Sequence, residues 1–217
     1  MEAAAAALAD KGPDEALSRV WESMPERAPT PGLRPCGPPA TRTRGQSLGR
    51  WRSSPRPARS IDQVAELKVS LAGARPPIWR RVGLPATATL ADLHETIQVL
   101  FSWDGDHLHV FAVGKKQYGD PFADLEGAGD DGEVRVQDAL ARGARKITYT
   151  YDVGACWEHE ITLEKTLERD PGRDYPVCVE FKGGSPVEYW SEDQPEEPRP
   201  FSLATVNRRL HALGEEG

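Results

Sequence analysis

The 217-residue chain is 38% hydrophobic, with a mean hydropathy of −0.57 and a formal net charge of −7; it has room for one or two domains but too little apolar content for all of it to pack around a core. Residues 1–60 hold ten Lys/Arg against six Asp/Glu, a net of +4, which leaves −11 on residues 61–217 and makes the folded part a poor general grip for phosphate backbones. No apolar run approaches the roughly 20 residues of a membrane span, the short Ala run at 3–9 lacks a basic flank, and Cys36, Cys156 and Cys178 form no CxxC pair, so a cytoplasmic protein with reduced thiols is expected.

Residues 1–26 are Ala-rich and interrupted by Gly12-Pro13. Residues 27–60 contain eight Arg, seven Pro and no carboxylate. Like charges repel and Pro blocks helix, so residues 1–60 are expected to form a disordered arm, dispensable for folding. The domain is expected over 61–213. Its first strand is predicted at Val64 to Leu71, with Leu67, Val69 and Leu71 inward. Arg75-Pro76-Pro77 breaks the pattern before the extended Ile78 to Val82, and the two prolines predict an edge or a bulge there.

Helical spacing of Leu90, Leu93, Ile97 and Leu100 predicts a helix from Thr89 to Phe101, with Thr89 as N-cap, Asp92 three residues on and His94 beside the apolar stripe. His107 to Val113 reads as a strand with His107, His109, Phe111 and Val113 on one face. The Gly- and Asp-rich residues 114–132 read as a long loop, and Val134 to Leu140 as a strand end followed by a helical turn.

The clearest stretch is Tyr149 to Leu163. Ile147, Tyr149 and Tyr151 share one face; Trp157, His159, Ile161 and Leu163 share another, with Glu158, Glu160, Thr162 and Glu164 opposite. This period-two alternation predicts a half-buried antiparallel hairpin, turned by Asp152-Val153-Gly154-Ala155-Cys156 with Gly154 supplying a positive φ. The helix at 89–101 is its expected cover. Val177 to Phe181 is a further strand, residues 188–200 an acidic loop, and Phe201 to Leu213 a closing helix with Ser202 as cap and Gly214 just past its end. The expected class is α+β: a mostly antiparallel sheet packed by one long helix and one C-terminal helix.

The segments RPPIWRRV (75–82), TLADLHETIQVLFSW (89–103), HLHVF (107–111) and YTYDVGACWEHEI (149–161), in that order and at close spacing, resemble the plasmid pRiA4b ORF-3-like domain family. The resemblance covers roughly residues 61–190. It implies a compact α+β domain found in bacteria and archaea, sometimes beside mobile elements, and no established activity. Two departures stand out. The family commonly has Tyr-Asp-Phe-Gly-Asp before the Trp, whereas Ala155 follows Gly154 here. The segment 183–190 also lacks the Cys pair common in the family.

The candidate site residues are Asp152, His159, His107, His109, Arg80 and Trp157. Two His and a carboxylate would suit zinc or iron, and His94, His107, His109 and His159 could converge with Asp152 or Glu160. No HExxH or comparable spacing exists, and an imidazole among aromatics often only bonds a carbonyl. Asp152 could be a general base or the cap of its own turn. Trp157, with Trp79, Trp103 and Tyr151, could stack a base or form core. One of Arg80 and Arg81 must face inward, to bind a phosphate or to pair with a carboxylate such as Glu158 or Glu160. No Gly-rich phosphate loop or Ser/His/Asp arrangement is visible, so neither metal nor cofactor is expected. The reading favours a non-catalytic module that binds protein or nucleic acid. The alternative is a metal-dependent hydrolase or nucleic-acid-processing enzyme using His107, His109, His159 and Asp152.

Overall fold

The computed structural model describes residues 62–123, 125–141, 146–188 and 198–215. The expectations for residues 1–60 and for most of the acidic loop at 188–200 lie outside them. The elements run β1 (Gln63–Leu71), β2 (Trp79–Pro85), α1 (Leu90–Phe101), β3 (His109–Val113), β4 (Lys116–Gly119), β5 (Gly129–Asp130), α2 (Val136–Ala141), β6 (Lys146–Tyr151), β7 (Trp157–Glu168), β8 (Val177–Lys182) and α3 (Leu203–Glu215). The strands form one sheet in the order β5-β4-β3-β6-β7-β1-β2-β8, antiparallel throughout except for β4 beside β5. The class is α+β. Among the described residues no helix is long and apolar enough to cross a membrane.

The β6–β7 hairpin forms with Tyr149 opposite His159 and Tyr151 opposite Trp157. Its inward residues Ile147, Tyr149, Tyr151, Trp157, His159 and Ile161 are all buried. Glu158 and Glu160 face out, and Glu160 meets Lys146 Nζ at 2.5 Å across the hairpin. Both partners of that pair are about half exposed, so solvent screens it. Glu160→Gln is expected to change stability by less than about 0.5 kcal/mol in urea unfolding.

Helix α1 covers the hairpin because its sequence sets both its start and its face. Thr89 Oγ1 accepts from the Asp92 N–H at 3.2 Å and Asp92 Oδ2 accepts from the Thr89 N–H at 2.7 Å, a reciprocal capping box. Leu90, Leu93, Ile97 and Leu100 enter one core with Val69, Tyr149, Trp157 and Ile161. The helix ends at Ser102, whose φ of 59° is left-handed without a glycine. Helix α3 packs on α1 and β8. Its Asn207 serves the open edge of β8, accepting from the Cys178 N–H at 2.8 Å and donating to the Cys178 carbonyl at 3.0 Å.

Several expectations need correction. Residues 114–132 hold β4 and β5, which the pattern hides because β4 carries only one large apolar residue, Tyr118, and β5 is two residues long. β3 starts at His109, so His107 precedes the strand. Pro76-Pro77 lie in the β1–β2 connection, and β2 is an internal strand between β1 and β8; its irregularity, between Arg81 and Val82, lies beyond the prolines. At the hairpin turn the positive φ angles belong to Asp152 and Cys156 rather than Gly154. The turn is held by Asp152 Oδ1, which accepts from the N–H groups of Gly154 and Ala155. Gly214 lies within α3. Cys156 is disulfide-bonded, while Cys178 is free and buried. An odd cysteine count leaves one thiol over without preventing one bridge.

Candidate functional site

Two groups of polar and aromatic side chains occupy the helix-covered side of the sheet. The first lines an open cleft of about 480 Å³, bounded by the first turns of α1, the chain from Gly105 to His109, and the loops at Asp120-Pro121 and Asp130 to Gly132. Its lining includes His94, His107 and His109 with Asp92, Glu95, Asp120, Asp130 and Asp131, and among the described residues no Lys or Arg. Asp120 Oδ1 accepts from the Phe122 N–H and Asp130 Oδ1 from the Gly132 N–H, each at 2.8 Å, which sets the two loop carboxylates in tight turns.

The imidazoles of His94 and His109 stack at 3.7 Å with their planes 13° apart. His109 Nε2–H donates to Asp131 Oδ2 at 2.7 Å, and both groups are buried. His94 is fixed from behind: Gln98 Nε2 donates to the Tyr149 oxygen at 2.8 Å, and the Tyr149 hydroxyl donates to His94 Nδ1 at 2.8 Å. Burial holds the Tyr149 phenol well above its ordinary pKa, so it keeps its proton. Burial, aided by the neighbouring His109 and opposed by Asp131, lowers His94 to about 3. His94 is therefore neutral at pH 7, with its proton on Nε2, the ring edge nearer Glu95 (3.9 Å) in the cleft wall.

The second group is internal. Phe101, Trp103, Tyr151, Trp157 and His159 form one aromatic cluster: Trp103 stacks on Tyr151 at 5.3 Å, and His159 sits edge-on to Phe101 at 4.6 Å and to Trp103 at 5.3 Å. His159 Nδ1–H donates to the Trp157 carbonyl at 3.0 Å, and burial pushes its pKa down to about 3. Arg80, 0% exposed, lies between Phe101 and Phe201. Its guanidinium donates to the carbonyls of Leu100 (3.2 Å), Trp79 (3.0 Å), Lys182 (2.9 Å) and Gly184 (3.0 Å) and to Ser185 Oγ (3.3 Å). Burial lowers its pKa to about 10, which leaves it charged at neutral pH. The segment at 185–188 is tied to this cluster: Glu188 accepts from the Tyr151 hydroxyl and, at 2.7 Å, from the Asp104 N–H, and Trp103 Nε1–H donates to the Pro186 carbonyl at 3.1 Å.

The structure thus separates the residues singled out in the sequence. His107 and His109 reach the cleft, with His107 Nε2 3.9 Å from Asp152. Arg80, Trp157 and His159 lie in the internal cluster, and Tyr149 touches both sides, 6.0 Å from His94 and 5.5 Å from His159 between ring centroids. Arg80 meets carbonyls rather than the carboxylate expected for the inward Arg. Arg81, facing outward, takes the carboxylates: Glu164 at 2.5 Å, Glu180 and Glu66. Among the described residues no group of three or more His, Cys, Asp and Glu could hold a metal ion. Asp131, Gln98, Tyr149 and Glu188 were missed as site residues. Only Gln98 left a local signal, a polar residue one turn after His94 inside an apolar run.

The profile of the family described as plasmid pRiA4b ORF-3-like protein matches residues 63–191, more than half of the chain. This chain belongs to the plasmid pRiA4b ORF-3-like protein family. The chain is 34% identical over 130 residues to the uncharacterized protein y4hQ of Sinorhizobium fredii, a match covering 59% of this chain and 66% of that protein, just under two thirds of the relative's length. It is also similar to the crystal structure of a protein of unknown function from Methanosarcina mazei, with a TM-score of 0.54 and 32% identity over 59% of this chain and 74% of that one. Neither relative brings an activity to this pRiA4b ORF-3-like domain.

Proposed function

We propose that residues 61–213 act as a non-catalytic binding module whose partner seat is the histidine- and carboxylate-lined cleft. The observation that carries this reading is the convergence there of five carboxylates and three imidazoles, with no Lys or Arg among the described lining residues. Such a wall favours a cationic protein surface over a phosphate backbone, in line with the −11 charge of residues 61–217. Among the described residues the cleft lining holds no Ser, Thr, Cys or Lys to serve as nucleophile, and His94, with its pKa lowered to about 3, is a poor base at neutral pH. The sources of the two relatives, a bacterium and an archaeon, and the plasmid in the family description support a prokaryotic setting with mobile-element association.

The buried His109–Asp131 pair favours one second reading, a hydrolytic site with His109 as base. Affinity capture from lysate separates the two. Asp120→Asn/Asp130→Asn keeps an oxygen for each turn and removes two charges. The binding reading expects a partner captured by the parent chain and lost about tenfold or more with this variant at unchanged melting temperature. Identical capture by both baits contradicts it, as does metabolite turnover by the parent that His109→Gln abolishes.

A further inference from the structure

Resting on that reading of the cleft, we infer that its ligand is a basic peptide segment: one Arg or Lys side chain among the carboxylates, with a neighbouring peptide carbonyl on His94 Nε2–H. Two independent features define this ligand. The first is the charge of the wall. Asp120 and Asp130 each spend one oxygen on their own turn, which leaves the second oxygen of each for an N–H donor, and Glu95 adds a third carboxylate. A cleft of about 480 Å³ takes a guanidinium or ammonium with its aliphatic stem.

The second feature is His94, only 7% exposed. Its Nδ1 is consumed by the Tyr149 hydroxyl, so Nε2–H is a donor with no hydrogen-bond acceptor among the described residues; Glu95, at 3.9 Å, is too far. A bare cation offers nothing to that donor, and an anionic acceptor is repelled by the carboxylates around it. A neutral carbonyl is the acceptor that suits both, and a peptide carries one beside every basic side chain. The chain itself contains such a sequence, since residues 27–60 hold eight Arg and no carboxylate; a separate basic protein offers the same chemistry.

The test is an NMR titration of the full chain, observing the imidazoles of His94, His109 and His159 with acetyl-Ala-Arg-Ala-amide and with acetyl-Ala-Gln-Ala-amide. The expected result is saturable movement of His94 and His109, not His159, by the Arg peptide with a Kd of about 1 mM or tighter, and none by the Gln peptide. Asp120→Asn/Asp130→Asn should weaken it about tenfold, and added salt should weaken it further. Replacing Arg42, Arg44, Arg50 and Arg52 by Gln in the full chain identifies the source: tighter binding of the added peptide marks the chain's own segment as the resident ligand, and unchanged binding marks a separate partner. Equal response to both peptides, no response to either, or response to Zn²⁺ or Ca²⁺ alone overturns the inference. If lysate capture remains cleft-dependent while the Arg peptide fails, the basic-ligand inference falls and the binding reading stands.

Discussion

Acidification from pH 7 to pH 5 is expected to cost the folded domain on the order of 4 kcal/mol through two histidines alone. His94 and His159 both have their pKa lowered to about 3 by burial, against an ordinary value of 6.5. A folded pKa below the unfolded one means that the unfolded chain takes up the proton first. The stability tied to the neutral rings is therefore complete above about pH 6.5 and is lost progressively as the pH falls toward 3. At pH 5 each ring accounts for about 2 kcal/mol, a large share of the 5–15 kcal/mol typical of a domain. Urea unfolding at pH 7, 6 and 5 measures it. His159→Phe is expected to cost about 1–3 kcal/mol at pH 7 and to remove about half of the acid sensitivity. Stability that is flat between pH 7 and 5 would mean that these rings are not buried neutral.

Arg80→Met is the substitution expected to do most damage, about 3–5 kcal/mol. The methionine fills much of the same space between Phe101 and Phe201 but offers no donor. It strands the carbonyl of Leu100 at the end of α1 and that of Gly184 beyond β8, both of which the guanidinium joins to β2. Arg80→Lys should recover only part of this, because a single ammonium cannot reach both while also meeting Lys182 and Trp79. Guanidinium unfolding of the three proteins gives the order Arg, Lys, Met. A cost below about 1 kcal/mol for Met would show that the buried charge is not structural and would reopen Arg80 as a binding group.

Elements whose determinants are local were legible in the sequence. The hairpin at 146–168 alternates strictly where it is buried, and α1 carries its capping box and apolar stripe within thirteen residues, so strand faces and helix ends could be placed before any contact was known. Determinants that lie far apart in the chain were not. Asp131 meets His109 across 22 residues, with no spacing rule to link them. Arg80 is hydrogen-bonded to carbonyls of residues up to 104 positions away, and a carbonyl has no signature in a sequence. Glu188 sits among the acidic residues that read as a solvated loop, yet it is buried under Tyr151. His107 and His109 looked equivalent at alternate positions; the strand begins between them, so one stacks in the core wall and the other lies half-exposed beside Asp152.

His94 presents a donor to the cleft, while His159 is sealed within the core. Imidazole ¹⁵N NMR of the full chain at pH 7 reads both directly. The structure predicts two neutral rings of opposite tautomer, His94 protonated at Nε2 with a bare Nδ1 and His159 protonated at Nδ1. A His94 that is charged at pH 7, or that carries its proton on Nδ1, would contradict the cleft described above.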